Sequence, residues 1–130
     1  MSGSIILIEE SVFGVLSNGE QVKRYSVRNK LNDFSFSVIS FGATIQSINI
    51  VDKDNKLINV ACGYDKLEEY ADPNMNPYFG ATIGRVANRI SNGEFKINGK
   101  SFKLDKNNGN ACLHGGKLGL GRVSHVVNIS

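Results

Sequence analysis

The 130-residue sequence predicts an all-β protein built from antiparallel strands. Three observations carry that expectation. Phe34, Phe36 and Val38 alternate with Ser35 and Ser37, the period-two pattern of a half-buried strand. Residues 45–51 are rich in isoleucine and end on Val51, a composition that suits a pleated surface. Asn98-Gly99 sits between two short apolar-polar segments, and this pair is favoured in two-residue hairpin turns because both central residues need positive φ.

Taken in order, residues 12–16 and 22–28 read as two strands joined through a turn at Asn18-Gly19. Residues 34–38 and 45–51 follow as strands, and the run Asp52-Lys53-Asp54-Asn55 supplies a turn before an extended apolar segment over 57–62. One short helix is expected over 65–70. Asp65 stands as its cap, Glu68 as the reciprocal partner three residues on, and Asp72-Pro73 as its end. The hairpin over 93–104 then places Phe95 opposite Phe102 on one face and Glu94 opposite Lys103 on the other, both favourable cross-strand pairs. No repeat, linker or internal boundary divides the chain, so residues 1–130 read as part of one domain.

Composition narrows the function classes. With 41% hydrophobic residues and a formal net charge of +3, the chain can bury a core and lacks the signature of disorder. Adjacent basic residues occur only as Lys23-Arg24, so no basic stripe marks a nucleic-acid surface. The apolar run Ile5-Ile6-Leu7-Ile8 is too short for a secretory core, and no stretch approaches a membrane span. Cys62 and Cys112 fit no metal spacing and read as free thiols of a reducing, cytoplasmic compartment.

Two segments depart from routine β structure. In residues 76–90 an apolar, glycine-punctuated stretch carries Arg85, Asn88 and Arg89, whose burial is costly unless they are hydrogen-bonded. In residues 107–116 a loop dense in asparagine leads to His114-Gly115-Gly116. Each has a structural reading beside a functional one. An arginine such as Arg85 most often bonds backbone carbonyls, a lone histidine is most often satisfied locally, and asparagine-rich loops are mostly turns.

Motifs in these segments resemble the aldose 1-epimerase family, also called galactose mutarotases. The resemblance rests on Pro77-Tyr78-Phe79-Gly80, Gly84-Arg85-Val86-Ala87-Asn88-Arg89-Ile90 and Leu113-His114-Gly115-Gly116. Phe41-Gly42-Ala43-Thr44-Ile45, Asn59-Val60-Ala61-Cys62-Gly63-Tyr64 and the hairpin support it, in order, from about Phe13 to Gly119. It implies a large antiparallel β-supersandwich, of which this chain is the amino-terminal portion. It implies interconversion of the α and β anomers of aldoses such as galactose and glucose, with no cofactor and no metal. Asn88 and Arg89 match the pair that hydrogen-bonds sugar hydroxyls, and arginine's planar donors suit that task. His114 matches the histidine near the ring oxygen, where it binds, orients or helps polarise that atom. Gly115 and Gly116 are expected to let a sugar approach the backbone closely.

The resemblance also says what to look for and not find. The family's general acid, a second histidine, its general base, a glutamate, and a substrate-binding aspartate fall later than these motifs. His125 follows His114 too closely to match the second histidine and reads as an ordinary surface or strand residue. After Gly116 the family pattern continues with phenylalanine, lysine and tryptophan, whereas here Leu120 replaces the phenylalanine and the chain has no tryptophan. An alternative exon, a premature stop, an incomplete gene model and divergence each account for that tail. The expectation is a chain inactive alone and prone to self-association through unpaired strands. The competing readings are a non-catalytic carbohydrate-binding module and a structural β-domain that pairs with another chain.

Overall fold

The computed structural model describes residues 6–75 and 77–128; residues 1–5 with Ile5 of the amino-terminal run, Asn76 at the head of the segment over 76–90, and residues 129–130 lie outside them. The first half of the chain is an antiparallel meander of five strands in sequence order. They are β1 (Ile6–Val15), β2 (Gln21–Asn29), β3 (Phe34–Ile39), β4 (Thr44–Val51) and β5 (Leu57–Asn59). The expected strands are all present, and β1 begins well before residue 12.

Register separates the two faces. Ile8, Val27, Phe36 and Ile48 are cross-strand partners in one row, and Glu9, Ser26, Ser37 and Ser47 form the next. Because side chains alternate with period two, apolar rows share one face and polar rows the other. The polar face is bonded across strands, through Ser26 Oγ to Ser37 Oγ at 3.0 Å and Asn49 Nδ2 to Ser35 Oγ at 3.1 Å. The apolar face carries a groove of about 220 Å³ lined by Ile8, Tyr25, Val27, Phe36, Val38 and Val127.

Two bulges turn side chains toward the second layer. The register steps between Val12 and Gly14, which releases Phe13, and between Ser37 and Val38, opposite Gln46. Phe13 meets the Tyr70 ring edge-on at 6.0 Å, and Gln46 Nε2 donates to the Tyr64 carbonyl at 3.1 Å. The main core forms there, from Val22, Ile39, Phe41, Leu67 and Tyr70, with Phe13, Leu16 and Tyr64 packed around it.

Two local expectations are corrected. The helix α1 spans Leu67–Ala71, its cap is Lys66, and no side chain closes the cap, so Asp65 does not hold that role. Packing sets its position instead. Leu67 and Tyr70 are driven into the core, and the Tyr64 N–H donates to the Tyr70 hydroxyl at 2.8 Å. The apolar segment over 57–62 pairs only as far as Asn59. There the Asn59 Oδ1 accepts from the N–H groups of Ile48 and Ala61, both at 3.0 Å, and one further backbone bond follows, from the Val60 N–H to the Ile48 carbonyl at 2.8 Å.

The second half holds two small ladders. Strands β7 (Glu94–Ile97) and β8 (Lys100–Lys103) make the expected hairpin, with Glu94 opposite Lys103 and Phe95 opposite Phe102. Its turn residues have φ of 50° at Asn98 and 76° at Gly99, and the two phenylalanine rings stack at 5.2 Å. Strand β6 (Arg89–Ile90) pairs with β9 (Cys112–Leu113) on either side of the hairpin. That short ladder brings the two polar segments together.

Candidate functional site

The site is built at the end of the β6–β9 ladder. Arg89 is the cross-strand partner of Leu113, so the residues just outside, Asn88 and His114, also face each other. Both have left-handed backbones, with φ of 59° and 54°. The His114 N–H donates to the Asn88 carbonyl at 3.0 Å, and the Asn88 N–H donates back to His114 Nδ1 at 3.0 Å. The Tyr78 ring meets the imidazole edge-on at 5.0 Å.

Arg89 is held by two amides. Its Nε donates to Asn108 Oδ1 at 2.8 Å and its Nη1 to Asn88 Oδ1 at 3.1 Å. Two of the guanidinium's five N–H groups are thereby spent on orientation, and among the described residues the others bond no partner. The three residues singled out from the sequence, Asn88, Arg89 and His114, therefore form one bonded cluster. Arg85 does not join it. It is exposed and, among the described residues, bonds no backbone carbonyl, so the reading of Arg85 as a hydrogen-bonder to carbonyls is set aside; Asn88 and Arg89 are exposed as well.

The sequence reading missed Asn107, Asn108 and Tyr78. Asn107 bonds both backbone groups of Leu113, accepting from its N–H at 2.7 Å and donating to its carbonyl at 3.0 Å, and it donates to the Tyr78 hydroxyl at 3.3 Å. It acts as a side-chain substitute for a strand neighbour and holds His114 in place from behind. The asparagine density of the loop was the available signal, but it is also the signal of a turn.

Gly115 has a sharper role than access for a sugar. With φ of 88°, a Cβ there would lie 2.1 Å from the Gly84 carbonyl oxygen, so the close approach is between two backbones. A pocket of about 400 Å³ opens beside this contact, lined by Asn88, Arg85 and mainly apolar groups from the hairpin and the segment over 118–120. It takes in neither Arg89 nor His114. Sugar hydroxyls need donors and acceptors, so the bonded cluster and not the apolar pocket marks the candidate site.

The tail is woven into the fold. Leu120 donates its N–H to the Gly84 carbonyl at 3.1 Å and packs its side chain over Gly84. Arg122 lies 4.5 Å from the centre of the Tyr78 ring and bonds the Tyr70 carbonyl at 3.2 Å. His125 donates from Nε2 to the Leu120 carbonyl at 2.8 Å, and its N–H bonds the Ser40 carbonyl at 2.8 Å. His125 thus fastens the tail to the sheet, away from His114.

The chain is thus mainly antiparallel β structure, with an amide, guanidinium and imidazole cluster at the end of a two-stranded ladder. The aldose 1-epimerase family model matches residues 23–129. Galactose mutarotase of Sus scrofa is 38% identical over 120 residues, which cover 92% of this chain and 34% of that protein. A probable aldose 1-epimerase of Arthroderma benhamiae is 36% identical over 118 residues, covering 88% of this chain and 26% of the relative. The crystal structure of a GalM/aldose epimerase homologue from C. elegans superposes with a TM-score of 0.67 at 35% identity, over 75% of this chain and 30% of that one. Galactose 1-epimerase from Lactobacillus acidophilus NCFM shares the fold, with a TM-score of 0.71 at 21% identity over 92% of this chain and 33% of its own. The chain belongs to the aldose 1-epimerase family. It spans about a third of the length of the curated relatives it matches.

Proposed function

We propose that residues 1–130 are the amino-terminal part of one aldose 1-epimerase domain and supply one wall of its sugar site, for hexoses such as galactose and glucose. Asn88 and Arg89 donate to sugar hydroxyls, and His114 faces the ring oxygen. The observation that supports this most is the fixed guanidinium of Arg89, held by Asn88 and Asn108 at 3.1 and 2.8 Å beside His114. A donor whose geometry is set in advance loses less entropy when it meets a hydroxyl.

Anomer exchange needs a base at the anomeric hydroxyl and an acid at the ring oxygen, followed by rotation about the opened chain and closure on the other face. These are proton transfers and a bond rotation, so the reading invokes no cofactor or metal. Among the described residues no carboxylate bonds Asn88, Arg89 or His114, and none lines the neighbouring pocket. Residues 1–130 by themselves are therefore expected to bind a hexose weakly and not to turn it over. The free thiols of Cys62 and Cys112 support a reducing, cytoplasmic setting.

Galactose titration by calorimetry, with polarimetry of freshly dissolved α-galactose, tests both parts. A weak saturable heat that disappears in Arg89→Ala, with mutarotation at the buffer rate, is the expected result. Absence of any Arg89-dependent binding removes the sugar-site reading, and mutarotation faster than buffer removes the claim of inactivity. A structural β-domain that pairs with another chain is the second reading, favoured by the apolar face of the five-stranded sheet, where Ile8 is 46% and Phe34 44% exposed. Co-purification with a full-length relative, without any galactose response, would select it.

A further inference from the structure

We infer that the backbone N–H of Asn88 fixes the tautomer of His114, so that this imidazole meets its ligand as an Nε2–H donor and not as a base. The first half of this statement stands on geometry alone; the second rests on the sugar-site reading above.

A backbone amide nitrogen always donates and never accepts. The Asn88 N–H points at His114 Nδ1 at 3.0 Å, so Nδ1 must present its lone pair. In a neutral imidazole the single proton then lies on Nε2, and which nitrogen carries it is set by the bond the other one makes. An imidazolium has N–H on both nitrogens and cannot accept this bond. Among the described residues, nothing bonds Nε2, and His114 is half-buried, not enclosed. The free position is therefore a donor directed away from the Asn88 contact.

The backbone makes this possible. Beyond the paired residues Arg89 and Leu113, Asn88 and His114 both turn into the left-handed region, with φ of 59° and 54°. The same turn lets Asn88 accept from the His114 N–H at 3.0 Å and donate to Nδ1 at 3.0 Å, so two bonds in opposite directions join the pair. Tyr78, edge-on at 5.0 Å, closes one side of the ring, and its hydroxyl is held by Asn107. Asn88 is thus a positioning residue through its backbone as well as a binding residue through its side chain. Asparagine suits both, because it enters the left-handed region at less cost than most residues.

For the sugar site the consequence is a division of labour. An Nε2–H group can stabilise charge growing on the ring oxygen or hold that oxygen in place. It cannot take the anomeric proton, so the base must be another residue.

Nuclear magnetic resonance on the uniformly labelled chain tests this in a mildly alkaline buffer, with His125→Gln used to assign the imidazole signals. The expected result is a coupling across the hydrogen bond from the Asn88 amide nitrogen to His114 Nδ1, with Nδ1 pyridine-like and Nε2 protonated. A protonated Nδ1, or an Asn88 amide with no such coupling, overturns the inference. Asn88→Gly keeps the N–H and enters the left-handed region freely, so the coupling should survive although the amide partner of Arg89 is gone. Its loss in Asn88→Gly would assign the positioning to the side chain and overturn the backbone argument. Galactose should then shift the Nε2–H resonance. A coupling that is present with an Nε2–H signal unmoved by galactose would refute the sugar role alone.

Discussion

Arg89 is exposed, and its two amide partners orient it without burying it, so its removal should cost function and not stability. Arg89→Lys is the sharper test. Lysine keeps the charge but lacks the planar fork that both asparagines grip. We expect Arg89→Lys to lose the heat of galactose binding while its thermal midpoint stays with that of the parent, as read by calorimetry. Tyr70 makes the opposite case. It is fully buried, its hydroxyl accepts the Tyr64 N–H at 2.8 Å, and burial pushes its phenol above the ordinary tyrosine value. The sign follows from the neutral form being the one the fold favours. Below about pH 10 the phenol is protonated in both states, and the full stability is present. As pH rises further the unfolded chain loses its proton first, and stability falls until the raised folded value is passed. Thermal unfolding across alkaline pH should show this decline, and Tyr70→Phe should lessen it. Tyr70→Phe should also cost about 1–3 kcal/mol at neutral pH, because the Tyr64 N–H loses its partner.

Among the elements, the hairpin and the β6–β9 ladder use glycine for different reasons. Gly99 has φ of 76° and open space around a would-be Cβ. Gly99→Ala therefore pays only the left-handed backbone penalty, roughly 1–2 kcal/mol. Gly115 has φ of 88° and the Gly84 carbonyl oxygen 2.1 Å from a would-be Cβ. Gly115→Ala must push two backbones apart and should destabilise by clearly more than Gly99→Ala in urea unfolding. It should also disturb His114, the preceding residue. Equal costs for the two variants would show that the Gly84 contact is not maintained in solution. The helix α1 illustrates how a local signal yields to packing. The cap pattern at Asp65 and Glu68 is present in the sequence, but burial of Leu67 and Tyr70 decides where the helix begins.

For the molecule as a whole, the five-stranded sheet has one face bonded and polar and one face apolar. Ile8, Phe34, Ile50 and Ile58 remain 46%, 44%, 38% and 41% exposed, and β1 is an edge strand. An apolar face next to an open edge favours association. Sedimentation velocity should show residues 1–130 associating with rising concentration, and Ile8→Lys should reduce it. A monomer at all concentrations with a sharp cooperative thermal transition would contradict this. Among the described residues no helix is long and apolar enough to cross a membrane.

Strand alternation, the Asn98-Gly99 turn and the motif residues Asn88, Arg89 and His114 were legible because each is a local property. A period of two, a pair that tolerates positive φ, and a short ordered motif need no knowledge of distant contacts. By itself the sequence determined the all-β class, the hairpin register and the identity of the family. Tertiary structure alone decided which groups meet. The pairing of Arg89 with Leu113 places Asn88 against His114 across 26 positions, Asn107 becomes a support of Leu113, and Asn108 holds Arg89 while it also closes a turn with Ala111. The same pairing turns an asparagine N–H toward an imidazole nitrogen. Hydrogen-bond direction depends on backbone conformation at both ends of a long-range contact, and no local pattern in the chain encodes it.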